Sequence, residues 1–191
     1  MSPNKFIRKS HGDVTRSMVD VAMGKAPADL ILTNGQLVNV NIGMIQPGMD
    51  VAIKDGFVAY VGKDALTKIQ HDASTKIVDA AGRFIAPGLI DSHVHIESSM
   101  VDPVHFAAGC LAHGTTTICP DNHEITNVLG LEAVRLLHEV LKDQPIKSYL
   151  AMPVCVPAVA GLENTGAEIH AEEVAAAYRN GWAALQGEEM N

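Results

Sequence analysis

Residues 84–100 read FIAPGLIDSHVHIESSM, an apolar run that ends in a group of polar side chains. We predict a buried strand over residues 84–90. Four polar residues follow it: Asp91, His93, His95 and Glu97. Alternate side chains of a strand share a face, about 6–7 Å apart, so His93 and His95 point the same way. Two imidazoles on one face can chelate a transition-metal ion, and the pair therefore predicts a metal site.

The overall composition limits the classes of protein to consider. The 191 residues are 47% hydrophobic with a formal net charge of −8, which suits a core of one or two domains. The acidic balance argues against nucleic acid or an anionic membrane as the main partner. No apolar run reaches the roughly 18–20 residues of a membrane span, and we find no secretory signal. Three cysteines without a CxxC pair indicate reduced thiols, and we expect a cytoplasmic protein.

Changes in the pattern of apolar, polar and turn residues predict three segments along the chain. Residues 1–28 form an N-terminal arm, in which we expect a short helix capped by Asp13 or Thr15 and ended by Gly24. Residues 29–83 alternate short apolar runs with turn residues, and residues 84–191 alternate strands with helices. The arm carries no chemical signal, so we expect the chemistry in the third segment.

The middle segment, residues 29–83, has the pattern of a small antiparallel β unit. Two dipeptides of the type favoured in tight hairpin turns, Asn34-Gly35 and Asp55-Gly56, each separate a pair of β-like runs. Further strand-like runs cover residues 77–79 and 81–85. We therefore predict two hairpins followed by a continuation of the same sheet.

The alternation of strands and helices after residue 84 predicts a parallel sheet in an α/β fold. The predicted strands cover residues 84–90, 115–119, 147–153 and 182–186. The predicted helices cover residues 103–113, a segment around 134–141, and residues 171–179. Polar residues again follow the second strand, at Asp121 and His123, and the fourth, at Glu188. Sites at the C-terminal ends of strands are typical of a TIM barrel or another open α/β sheet.

Several motifs give the chain a resemblance to a known family. They are APGLIDSHVHIE (86–97), HIESSM (95–100), HGTTTI (113–118), HEI.NVLG (123–130), ENTGAE (163–168) and GE.MN (187–191). The first resembles the entry motif of the amidohydrolase superfamily, metal-dependent hydrolases on a TIM barrel. The set as a whole is most similar to the bacterial adenine deaminases. That family usually has proline at position 122 and an apolar residue at 189, where this chain has Asn122 and Glu189.

The resemblance implies that this chain covers only the first part of the family's architecture. Residues 29–83 resemble the N-terminal half of the superfamily's small β-sandwich, and residues 84–191 resemble the first four βα units of its (β/α)8 barrel. A full barrel takes about 250 residues, more than follow residue 84 here. We therefore expect an N-terminal portion of a longer enzyme, with the remaining metal ligands and the acid/base groups beyond Asn191.

The resemblance also implies roles for individual residues. His93 and His95 would be metal ligands, and Glu188 would be the carboxylate that bridges two ions. Three further residues would bind metal, orient the ligands or contact substrate: Glu97, Asp121 and His123. Ser98 and Ser99 lack a base at a diagnostic spacing, and we expect them to contact substrate or to be structural. Two plainer interpretations stay open, a polar strand end for the histidines and a solvated acidic tail for Glu188 and Glu189.

The activity implied by the resemblance is hydrolytic deamination of adenine to hypoxanthine and ammonia, with two divalent ions, Mn or Fe, or alternatively Zn. The partners are then a small-molecule substrate and, in the full-length form, a second copy of the chain. A cyclic-amide hydrolase of the dihydroorotase or hydantoinase type is the alternative enzyme, and a non-catalytic fragment is the alternative outside enzymes. The other zinc deaminase scheme needs P-C-x-x-C after H-x-E, and no such motif follows His95.

Overall fold

The computed structural model describes residues 8–190, so the first seven residues of the predicted arm and Asn191 lie outside the described part. The described residues divide into two compact units, residues 8–87 and residues 88–190. No helix in this part of the chain is both long and apolar enough to cross a membrane.

The first unit begins with helix α1 (His11–Ala22), which is longer than predicted. Its N-cap is Ser10, where we expected Asp13 or Thr15. The Ser10 hydroxyl accepts a hydrogen bond from the Asp13 N–H, and the Asp13 carboxylate accepts one from the Ser10 N–H at 3.1 Å. Asp13 is therefore the reciprocal partner in a capping box and not the cap itself. Gly24 follows the helix in the left-handed region, with φ of 66°.

A mixed five-stranded sheet and a short helix complete this unit. They are β1 (Leu30–Asn39), β2 (Met44–Lys54), β3 (Phe57–Gly62), α2 (Ala65–Lys68), β4 (Lys76–Asp79) and β5 (Phe84–Ile85). The strand order is β3-β2-β1-β4, and β5 also pairs with β1. The β1–β2 and β2–β3 pairs are antiparallel, but β4 and β5 run parallel to β1. The prediction of a wholly antiparallel unit is thus wrong for its last two strands.

One of the two predicted hairpin turns is wrong. Asp55-Gly56 joins β2 to β3, with φ of 53° and 82°, as a tight hairpin turn requires. Asn34-Gly35 instead lies within β1, where the pairing register with β2 shifts. Asn34 has φ of 54°, and its N–H donates to the Asp50 carboxylate at 2.9 Å. A residue with positive φ can form a bulge as well as a turn, and the Asp50 carboxylate stabilises the bulge here.

The core of the first unit lies between the sheet and its two helices. Its buried apolar residues are Val21, Ala28, Ile31, Ala52, Ala65 and Ile69. Asp50 is also buried, and its two oxygens accept hydrogen bonds from the N–H groups of Asn34 and Ala65. This carboxylate therefore joins the β1 bulge to the first residue of α2.

The second unit alternates strands and helices as predicted. Its elements are β6 (Leu89–Val94), α3 (Pro103–Ala112), β7 (Thr115–Pro120), α4 (His123–Leu129), α5 (Leu131–Leu141), β8 (Lys147–Ser148), β9 (Ala151–Met152), α6 (Ala171–Arg179) and β10 (Leu185–Gln186). A 3-10 turn, Glu97–Ser99, follows β6. The strands form two parallel sheets, β6-β7-β8 and β10-β9. The predicted α/β class with parallel strands is confirmed.

The predicted strand over residues 84–90 differs most from the structure. Its first part is β5, which belongs to the first unit and pairs there with β1, and a separate strand, β6, begins only at Leu89 in the second unit. Leu89 and Ile90 are 62% and 67% exposed, so this apolar run is not buried in the described chain. Pro87 lies between the two strands and has no N–H to donate to a sheet. The single buried strand that we predicted is therefore wrong.

Helix boundaries in the second unit follow the sequence signals more closely. Asp102 is the N-cap of α3 and accepts hydrogen bonds from two backbone N–H groups, as the Asp102-Pro103 pair predicted. The α6 helix covers the predicted residues and ends before Asn180-Gly181. Helix α4 was not predicted, and the predicted strand 147–153 is divided into β8 and β9. The buried apolar residues include Ile96, Ile118, Val134, Leu141 and Met152.

Candidate metal centre

Two strand ends of the second unit bring His93, His95 and Glu188 together. His93 is in β6, His95 lies just beyond it, and Glu188 follows β10. The Nε2 atoms of the two histidines are 3.0 Å apart. Glu188 Oε1 lies 2.9 Å from Nε2 of His93 and 3.1 Å from Nε2 of His95. Three ligand-type atoms thus converge on one point, although Glu188 is 95 residues from His93 in the sequence.

This arrangement fits a divalent metal ion better than it fits hydrogen bonding alone. A single N–H donor cannot satisfy three mutual contacts between two ring nitrogens and a carboxylate oxygen. A cation at about 2.0–2.2 Å from each atom would contact all three at once. Imidazole nitrogen with carboxylate oxygen is a donor set that Zn, Fe and Mn sites use. Among the described residues, His93, His95 and Glu188 form the group of metal-ligand side chains that converges closely enough to hold an ion.

The contacts within the cluster shift the pKa values of Glu188 and His95. Hydrogen bonds with His95 and then with His93 hold the pKa of Glu188 below its usual value. Burial by itself lowers the pKa of His95, but Glu188, Glu124 and Asp121 outweigh it, so the pKa of His95 is raised. Glu188 is therefore an anion that faces the two imidazoles, as a metal-binding carboxylate must be.

The far side of the His95 ring faces a second carboxylate. His95 Nδ1 lies 3.0 Å from Glu124 Oε2, but the two atoms are not aligned for a hydrogen bond, and this buried nitrogen has no hydrogen-bond partner among the described residues. Glu124 accepts a hydrogen bond from the Ser98 hydroxyl. Burial works to raise the pKa of Glu124, but this bond and its other contacts hold the value below the usual one. The Glu124 anion thus lies where it can orient the imidazole.

Glu97 lies beside this group and outside the convergent triad. It is half-buried, and its Oε1 accepts a hydrogen bond from the Ile125 N–H at 3.4 Å. Burial, and then the hydrogen bond and charge of Glu124, raise the pKa of Glu97. The structure therefore places Glu97 against Glu124 rather than against the two histidines.

Asp121 and His123 are buried behind Glu188 and do not join the triad. One oxygen of Asp121 accepts a hydrogen bond from the Glu188 N–H at 2.6 Å, and the other has no partner among the described residues. His123 Nε2 bonds to the backbone oxygen of Cys155 at 2.9 Å. The adjacent Asn122 side chain is fully buried, and both its polar atoms are likewise without a described partner.

The serine pair has two different environments. The Ser99 hydroxyl donates to the Ile96 carbonyl within the 3-10 turn at 2.5 Å, which is a structural contact. Ser98 is exposed and donates to Glu124. Sequence reasoning did not single out Glu124 or Cys155 as site residues. The signal that could have identified Glu124 is its place directly after Asp121 and His123, among the polar residues that follow a predicted strand; no comparable signal marks Cys155.

The fold and the site together define an α/β protein with a metal-type His-His-Glu cluster at the ends of parallel strands. The sequence profile of the amidohydrolase family matches residues 84–189, which include the whole cluster. The chain belongs to the amidohydrolase family, and membership implies a divalent metal ion. The resemblance found in the sequence motifs is thus confirmed.

Individual relatives agree with this assignment. The chain is 51% identical over 176 residues to the adenine deaminase of Paracoccus denitrificans (strain Pd 1222), covering 91% of this chain and 29% of that protein. It is 45% identical over 193 residues to the adenine deaminase of Ruegeria pomeroyi, covering 100% of this chain and 31% of that protein. The chain thus spans about three tenths of the length of these curated relatives.

Among solved structures, a dihydroorotase has a similar fold. It superimposes with a TM-score of 0.56 at 22% sequence identity, covering 79% of this chain and 39% of that one. At this level of identity the likeness concerns the fold alone.

Proposed function

We propose that this chain supplies the first part of a metal-dependent hydrolase that deaminates adenine to hypoxanthine and ammonia. The observation that carries the proposal is the convergence of His93, His95 and Glu188 within 3.1 Å. The similarity to adenine deaminases along nearly the whole chain supports the choice of substrate.

In this proposal His93, His95 and Glu188 would hold the metal, with Glu188 as the anionic ligand. A divalent ion held there would supply Lewis acidity and would lower the pKa of a water molecule towards neutrality. The side chains of this chain fix the position of the reaction. Glu188 contributes a negative charge, and Glu124 orients the His95 ring from its far side.

The remaining side chains are assigned by their contacts. The exposed Ser98 hydroxyl, together with Glu97, faces the Glu124 side of His95, and we expect this group to contact the substrate. Ser99 is structural, because the Ile96 carbonyl engages its hydroxyl. Asp121 and His123 support the site from behind and do not ligate the metal.

The finer features of the whole enzyme belong to the same proposal. Residues 29–83 would contribute to a β-sandwich, and residues 84–191 would form the first four βα units of a (β/α)8 barrel. Two ions of Mn or Fe, a cytoplasmic location and a homo-oligomer complete it. The acid/base groups would come from residues beyond this chain, so we expect no adenine turnover from the 191 residues alone.

A chimera tests the proposal directly. The segment of the Paracoccus relative that matches this chain would be replaced by the present sequence, and ammonia release from adenine measured with added Mn²⁺. We expect turnover comparable to that of the parent protein, and its loss when His93→Ala and His95→Ala are combined. Ring opening of dihydroorotate is measured in parallel.

Two results would contradict the proposal. A well-folded chimera that opens cyclic amides and leaves adenine untouched would favour the cyclic-amide hydrolase. Robust adenine turnover by the 191-residue chain alone would show that no further residues are needed for catalysis.

A further inference from the structure

The backbone of Glu188 is hydrogen-bonded on both of its peptide groups. Its N–H donates to Asp121 Oδ2 at 2.6 Å, and its carbonyl oxygen accepts from the Cys155 thiol at 3.1 Å. β10 is only two residues long, and its backbone pairing with β9 extends as far as the Gly187 N–H, which donates to the Met152 carbonyl at 2.8 Å. Beyond that point, the contacts with Asp121 and Cys155 hold the backbone of Glu188 itself.

Asp121 and Cys155, which contact the Glu188 backbone, are both buried, and each makes a further hydrogen bond through its own backbone. Asp121 is fully buried, and its N–H donates to the carbonyl of Val94 at 2.9 Å, which attaches it to the end of β6. Cys155 is 3% exposed, and its carbonyl oxygen is bonded to His123 Nε2 at 2.9 Å. A buried group that is held by a second hydrogen bond loses little entropy when it positions a neighbour.

Gly187 allows the chain to pass close to these groups. A Cβ atom at this position would lie 2.5 Å from Asp121 Oδ2 and 2.8 Å from the Met152 carbonyl oxygen. Both distances are shorter than any van der Waals contact, and one of the two atoms belongs to the backbone. A side chain at residue 187 would therefore push the Glu188 N–H away from Asp121.

We propose that Asp121 and Cys155 form a backbone clamp that positions the Glu188 carboxylate against His93 and His95, with Gly187 providing the space for it. The purpose of the clamp rests on the proposed function, because the positioned carboxylate is the metal ligand. We class three residues as positioning residues: Asp121, Cys155 and Gly187. The first two contact the Glu188 backbone, and Gly187 leaves room for that backbone to pass close to Asp121. The contacts described for them do not involve the ring nitrogens of His93 and His95 or the carboxylate oxygen of Glu188.

The first test uses no metal. Amide hydrogen exchange at Glu188 is measured by NMR in the 191-residue chain and in its Cys155→Ala and Gly187→Ala variants. We expect at least tenfold faster exchange in both variants. Cys119→Ala, a half-buried cysteine on β7, and Gly109→Ala, a helical glycine with open space around it, are the matched controls and leave the rate unchanged.

Cys155→Ser restores a hydroxyl donor at the same place, so we expect it to recover most of the protection. It also serves as the informative variant if the alanine does not fold. Exchange at Glu188 within threefold of wild type in Cys155→Ala and in Gly187→Ala would overturn the clamp.

The second test measures Mn²⁺ affinity by electron paramagnetic resonance. Loss of an outer contact of this kind typically weakens metal binding about 10- to 100-fold, and we expect that range for Cys155→Ala and Gly187→Ala. Equal affinity in these variants and wild type would overturn the link between the clamp and the metal. If the chimera that carries the wild-type segment binds no Mn²⁺, the proposed function fails, and the exchange rates still decide whether the clamp exists.

Discussion

Glu188 Oε1 lies 2.9 Å from Nε2 of His93, and 95 residues of sequence separate the two side chains. The contact exists because β6 and β10 both end at this point of the second unit. The same oxygen lies 3.1 Å from His95. The carboxylate therefore contacts both rings at hydrogen-bonding distance.

The first prediction concerns which of two adjacent glutamates binds metal. Glu188→Gln removes the anion that faces both histidines, and we expect Mn²⁺ affinity to fall at least 100-fold. Glu189→Gln is the matched control, because the Glu189 carboxylate accepts a hydrogen bond from the Gln186 side chain at 3.2 Å. Titration followed by electron paramagnetic resonance measures both. Equal losses in the two variants would identify an unspecific acidic tail.

Metal binding should also stabilise the fold of the second unit. A ligand that binds only the native state adds about 2.7 kcal/mol at 100 times its dissociation constant. We therefore expect Mn²⁺ to raise the thermal midpoint of this unit, as measured by differential scanning calorimetry. The variant that combines His93→Ala with His95→Ala should show no such rise; a rise of the same size would place the metal elsewhere.

Asp50 should be the most sensitive carboxylate of the first unit. Its two oxygens accept hydrogen bonds from the N–H groups of Asn34 at 2.9 Å and Ala65 at 2.8 Å. Asp50→Asn leaves one acceptor for two N–H donors, one of which, that of Ala65, is buried, and this should cost about 1–3 kcal/mol of unfolding free energy. The control is Asp64→Asn, an exposed residue 3.6 Å from Lys68, with an expected change below about 0.5 kcal/mol. Urea denaturation distinguishes them, and equal effects would refute the role of Asp50.

Asp55 should make the first unit sensitive to acid. Hydrogen bonds from Lys9 and then Ser17 hold the pKa of Asp55 below its usual value. A lowered native pKa stabilises the fold above the unfolded-state value of 3.8, and this stabilisation is lost as the pH falls through the native pKa.

Asp55→Asn should therefore reduce the difference in unfolding free energy between pH 6 and pH 3. Denaturation at the two pH values measures it, and Asp20→Asn, on α1, serves as the control. An unchanged difference in Asp55→Asn would show that the contacts to Lys9 and Ser17 do not persist in solution.

Local signals in the sequence predicted the elements that local chemistry controls. Asp102-Pro103 correctly predicted the start of α3, and Asn180-Gly181 predicted the end of α6. The spacing of His93 and His95 placed them on one face because a strand alternates its side chains. Both kinds of inference need only neighbouring residues.

The predictions that proved wrong concern features that depend on distant parts of the chain. Asn34-Gly35 is compatible with a turn or a bulge, and the bulge is stabilised by a hydrogen bond to Asp50, a residue of the next strand. Apolar residues 84–90 look like one strand, but pairing with β1 takes the first two into a different sheet. The Cys155 contact with Glu188 could not be foreseen, because a lone cysteine has no sequence pattern that points to a backbone carbonyl.

The wide sequence separation within the triad also sets an order of events during synthesis. A ribosome that adds about 5–20 residues per second produces His93 and His95 roughly 5–20 s before Glu188. During that interval the nascent chain presents two imidazoles without their carboxylate. If the proposed site binds an ion, that ion can contact all three side chains only after β10 has been made.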